Sequence, residues 1–144
     1  MKQAYRYFND TYQALNYLFI GTREELDTWL RKSHGLKGEA VNIDINWGGG
    51  SFTLNNDKGQ KYAQFVWMYK FDGDCESLVT LSHECLHTAV TIMSDRGCNM
   101  IVGDNSDQLN YLHDAIFRSF LKALLKEIAK ASKKESTEEK TDAT

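Results

Sequence analysis

The sequence predicts an α+β domain, a small antiparallel or mixed sheet packed against a helix carrying His83-Glu84-Cys85-Leu86-His87 and against a long C-terminal helix. Three observations predict it. Residues 41–47, Val-Asn-Ile-Asp-Ile-Asn-Trp, alternate apolar and polar, which is the period of a half-buried strand. Leu78, Leu81, Cys85, Ala89 and Ile92 recur at spacings of three and four and form the apolar stripe of a helix. Leu109, Leu112, Ile116, Phe120 and Leu124 repeat that spacing and predict a second helix over 106–130.

In chain order, residues 3–20 are rich in Tyr, Phe, Leu and Ile; residues 5–8 and 13–19 read as strands flanking an Asn9-Asp10 turn, with a helix as the alternative for the same run. Thr22 then opens a helix: it can cap the first turn, Glu25 completes a capping box, and Leu26, Trp29 and Leu30 supply the buried face. His34 precedes the terminating Gly35 and is expected to be a solvated helix-end histidine. The strand over 41–47 should end at Gly48-Gly49-Gly50, a turn or bulge, since neither the Lys-Ser/Thr of a phosphate loop nor a helix follows it. Residues 51–55, the turn Asn56-Asp57-Lys58-Gly59 and residues 60–71 predict a hairpin with Tyr62, Phe65, Trp67 and Tyr69 as its bulky residues. Asp74 can cap the motif helix, and Arg96-Gly97 end it. Residues 131–144 are nearly all charged or hydroxylic and should form a disordered tail on a single domain of residues 1–130.

Composition narrows the partners. A chain of 144 residues buries about two-thirds of its unfolded surface, so no metal is needed to hold it together. No apolar run approaches the roughly eighteen residues of a membrane span, and the polar, aromatic start is unlike a signal peptide. A cytoplasmic location is therefore expected. A net charge of -3 and a pI near 5.8 argue against a nucleic-acid or anionic-membrane partner. A helix over 75–96 would hold Cys75 and Cys98 about 30 Å apart, beyond the roughly 7 Å that a disulfide spans between Cα atoms. Free thiols fit a reducing compartment. Cys85, on the apolar stripe, reads as a packing residue.

The motif carries the chemistry. Residues four apart on a helix share a face, so His83 and His87 can take adjacent corners of a tetrahedral Zn2+ site. Glu84 between them is the candidate base for an attacking water. Catalytic zinc usually takes three protein ligands. The motif helix lacks the further downstream histidine of one zincin class, so the third ligand should come from the next segment, where Asp104, Asp107, His113 and Asp114 are candidates.

Leu81-Ser-His-Glu-Cys-Leu-His87, Asp95-Arg-Gly97 and Asn105-Ser-Asp-Gln-Leu-Asn-Tyr-Leu112 together resemble small zincin-like proteins encoded in bacteriophage genomes. The resemblance covers roughly residues 1–128, with specific matches only after Phe65. It implies a minimal zincin fold in which the acidic residue before the Tyr-Leu pair closes the metal site. That residue is Asp107, where the family pattern usually has Glu; being one methylene shorter, Asp requires a closer approach of its helix. With Asp107 as ligand, Tyr111 one turn on would donate a hydrogen bond to a developing oxyanion. The expected function is a zinc peptidase acting on a peptide or protein substrate in the host cytoplasm. The alternatives are a degenerate zincin that engages a host protein, and a structural protein in which the motif is accidental.

Overall fold

The computed structural model describes residues 3–35, 48–56, 58–98 and 106–141, with side chains through residue 133. Strands β1 (Ala4–Asn9) and β2 (Ala14–Ile20) form an antiparallel hairpin, with Ala4 opposite Phe19 and Asn9 opposite Ala14. Helix α1 (Arg23–His34) starts as the sequence predicts: Thr22 accepts from the Glu25 amide, and the Glu25 side chain accepts from the Thr22 amide. Two amide donors that the helix leaves open are thereby satisfied. Gly35 closes the helix at φ 64°, a left-handed cap that glycine adopts without steric cost.

Strands β3 (Gly49–Asn55) and β4 (Lys61–Met68) pair antiparallel, and β4 lies parallel to β2, giving the order β1-β2-β4-β3. The predicted hairpin is present, and Gly49 and Gly50, read as part of a turn or bulge, open β3 and pair with Met68 and Trp67. The predicted strand over 41–47 lies outside the described residues. Leu54 pairs with Ala63 while Asn55 pairs with Lys61, so Tyr62 is an extra residue in β4. Such a bulge re-aims the side chain it carries, and Tyr62 packs with the apolar cluster on the α1 side.

Strand alternation divides the core. Phe19, Phe65 and Trp67 meet Leu26 and Leu30 of α1 on one face. Leu18, Ile20, Val66 and Met68 pack on the other face against α2 (Cys75–Asp95) and α3 (Ser106–Thr141). Phe19 and Phe65 are fully buried, each worth roughly 1.5–3 kcal/mol of transfer free energy. The α+β class is as predicted, with the sheet between α1 and the α2–α3 pair.

Asp74 caps α2, accepting from the Ser77 amide at 2.8 Å. The hydrogen bond from the Ser77 hydroxyl, and then that from its amide, hold the Asp74 carboxyl below the usual carboxylate range. Leu81, Cys85, Ala89 and Ile92 are buried along α2, as their spacing predicts. The three cysteines are free, and burial pushes the Cys85 thiol well up, in keeping with a packing role. The last helix departs from expectation: it continues past residue 130 to Thr141 through the segment read as a disordered tail. Lys and Glu supply six of the eleven residues from 131 to 141 and are strong helix formers. Among the described residues, no helix is long and apolar enough to cross a membrane.

Candidate metal centre

The solvent side of α2 brings the two motif histidines together. His83 and His87 are exposed, one helical turn apart, and their Nε2 atoms approach to 3.0 Å. Their rings meet edge to face at 4.6 Å between centroids. With zinc–nitrogen bonds of about 2.0–2.1 Å, an ion equidistant from both atoms would see them at about 94°; a few tenths of an ångström of ring movement opens this to the tetrahedral angle. The two histidines therefore fit the motif's metal.

Glu84 lies between them in sequence but is turned towards the protein, with only 8% of its surface exposed. At about 100° per residue, it sits some 60° around the helix from His87, on the side facing β3. Gly49, the first residue of β3, makes this packing possible. A Cβ there would lie 2.9 Å from Thr80 Cγ2, 3.0 Å from the Trp67 carbonyl oxygen and 3.3 Å from Glu84 Cγ. Only a residue without a side chain lets the strand approach α2 so closely. The sequence placed Gly49 in a turn; what it does is seat Glu84 against the end of the sheet. Among the described residues β3 is an edge strand, so its outer backbone groups begin beside Glu84.

The third ligand is not assembled. Among the described residues, no group of three or more His, Cys, Asp or Glu side chains could hold a metal ion. Asp107 is exposed in the first turn of α3, Tyr111 is 77% exposed one turn on, and Asp104 lies outside the described residues. His113 is engaged elsewhere. Its Nδ1 lies 3.3 Å from an Asp114 carboxylate oxygen, and its Nε2 lies 3.2 Å from both the hydroxyl and the carbonyl oxygen of Ser82. This Ser-His-Asp chain has the hydrogen-bond order of a nucleophilic triad, but Ser82 sits in mid-helix, where the amides are committed to helical hydrogen bonds and cannot form an oxyanion hole. What it does is tie α3 to α2 one residue before His83.

One polar cluster escaped the sequence reading. His34 is half-buried, not solvated: Tyr17, Trp29 and Tyr62 surround its ring at centroid distances of 5.0, 4.7 and 5.9 Å. Tyr62 Oη lies 2.8 Å from His34 Nδ1, and Nε2 is buried without a hydrogen-bond partner among the described residues. Burial lowers the pKa of His34, and burial first, then the neighbouring Tyr17, raises that of Tyr62. No sequence signal could have found it, because the bulge that aims Tyr62 at the end of α1 is a property of strand register. Comparisons with known proteins found no matching family model, curated protein or solved structure.

Proposed function

We infer that the chain is a zinc-dependent peptidase, a reading carried by the 3.0 Å convergence of His83 Nε2 and His87 Nε2 beside the buried Glu84. A zinc ion held there would supply Lewis-acid polarisation of a carbonyl and a lowered pKa for water. His83 and His87 would hold the ion through their Nε2 atoms. Glu84 takes a proton from the attacking water and returns it to the nitrogen of the departing amine as the C–N bond breaks. The edge strand β3 supports a peptide as substrate, because an extended chain can hydrogen-bond to its outer backbone and run past Glu84. The resemblance of residues 81–112 to phage-encoded zincins supports the same reading, with Asp107 as third ligand and Tyr111 as oxyanion donor once the start of α3 closes on the pair.

One observation favours a second reading. The lack of a three-ligand group among the described residues suits a degenerate zincin that binds metal weakly and engages a host protein. Elemental analysis and a quenched-fluorescence peptide library separate the two. The peptidase reading expects about one zinc per chain and cleavage that Glu84→Gln abolishes while zinc content and circular dichroism stay unchanged. Cleavage that persists in Glu84→Gln removes Glu84 as base; a chain that takes up no zinc from excess removes both readings.

A further inference from the structure

A second concave site lies at the opposite end of α2 from its Asp74 cap. From His87 to Asp95 the helix advances about 12 Å, and its last turn overhangs the start of the parallel pair β2 and β4. The space beneath it is a cavity of about 450 Å³. Ala14 and Ile92 supply an apolar floor, and Ala14 contributes only a methyl group, which leaves the volume open.

The polar groups around this floor are held in place. Lys61 Nζ is fixed by Asp95 Oδ1 at 2.5 Å. The Arg96 guanidinium donates through Nε and Nη2 to the Tyr12 carbonyl and through Nη2 to the Gln13 carbonyl, with Nη1 uncommitted among the described residues. Gln13 sits at φ 49°, a conformation uncommon outside glycine, and Arg96 braces it from the cavity side. Gln64 is more than nine-tenths buried yet lines the cavity. Its Oε1 accepts from Thr53 Oγ1 at 3.0 Å, which orients the amide and leaves the NH2 donor without a protein partner among the described residues.

We propose that this cavity is a carboxylate-binding site in which Lys61 and Arg96 hold the anion, Gln64 donates to it, and the Ala14–Ile92 floor takes the attached hydrocarbon. Two cations and one carboxylate leave a single net positive charge at the rim, which matches a monoanion. A phosphate dianion is disfavoured by Asp95 and by the carbonyl end of α2, whose dipole is negative there. The same chemistry is presented by a free amino-acid-sized acid and by the C terminus of a peptide. The site does not depend on the peptidase reading, since none of the motif residues lines it.

The test is a heteronuclear NMR titration of the full chain with three probes: N-acetylalanine, N-acetyl-trialanine and N-acetyl-trialanine amide, with peptide integrity checked by mass spectrometry. The expected result is saturable shifts at Lys61, Gln64 and Ile92 for both acids and none for the amide. Equal affinity for the two acids identifies a small-acid site, and tighter binding of the peptide acid identifies a C-terminus site. Lys61→Met, at an exposed position that should leave the fold intact, is expected to weaken the acids about fivefold; Gln64→Leu should weaken them independently. No saturable shift, equal binding of the amide, or indifference to both substitutions overturns the proposal.

Discussion

Two histidine neighbourhoods in this molecule have nearly the same ring spacing and opposite chemistry. The His83 and His87 rings are 4.6 Å apart, and the His34 and Trp29 rings are 4.7 Å apart. The first pair is solvated, with its Nε2 atoms aimed at one point; the second is wedged between α1 and the sheet, with one His34 nitrogen bonded to Tyr62 and the other buried without a partner among the described residues. Helical spacing alone makes the first pair converge. Burial, which no spacing encodes, makes His34 resist protonation. Proximity of rings is therefore a poor guide to function here, and the accessibility of the nitrogen lone pairs is the better one.

Exchanging the two sites in an experiment should give the largest effects. His83→Ala or His87→Ala should lower zinc affinity by about three orders of magnitude, near 4 kcal/mol, with metal-free stability within about 0.5 kcal/mol of wild type. His34→Ala should do the reverse, costing about 2 kcal/mol of stability by denaturant unfolding with zinc affinity unchanged by calorimetry. A loss of zinc binding in His34→Ala would mean that the two neighbourhoods are coupled through the sheet.

Next in size is the third ligand. Asp107→Ala should weaken zinc by tenfold or more if α3 completes the site, whereas His113→Ala should stay within about threefold because both ring nitrogens already serve Ser82 and Asp114. The reverse order in competition titrations would transfer the ligand role to His113. Gly49→Ala sharpens the comparison from the sheet side. The added methyl meets Thr80, the Trp67 carbonyl and Glu84, so it should cost about 1–3 kcal/mol and displace Glu84 while leaving the exposed histidine pair to bind zinc. Hydrolysis that survives this variant undiminished would show that the seating of Glu84 is unimportant.

The smallest expected effect is on pH dependence. The folded-state pKa of His34 lies below its ordinary value of 6.5 because burial disfavours the cation. Below 6.5 the unfolded chain binds the proton more readily, so stability should decline as pH falls through the interval between the two values and level off beneath the folded one. His34→Phe should flatten that part of the stability profile in urea titrations between pH 7 and 5. An unchanged slope would assign the loss to groups other than His34; Asp74 is not among them, because its carboxyl pKa is lowered from 3.8 and its cap weakens only below that value.

Periodicity and caps were legible wherever the determinant is local. The α2 stripe, the Thr22–Glu25 capping box, the Gly35 cap and the one-turn spacing of His83 and His87 each depend on residues within four or five positions of one another, so the backbone's own geometry fixes them. The parallel β2–β4 pairing, the bulge at Tyr62 and the enclosure of His34 were not legible, because they depend on which distant segments meet and in what register. Gly49 shows the boundary most clearly. The sequence marked it as a place needing glycine, but the reason is the side of a helix that begins 26 residues later in the chain. By itself the sequence determined the α+β class, the helix bearing the motif and the convergence of its two histidines, all short-range consequences of spacing. Tertiary structure alone decided that Glu84 is buried beside an edge strand, that His113 clamps two helices, and that a polar cavity opens under the end of α2. Each of these is set by the packing of one element's side chains against another's backbone.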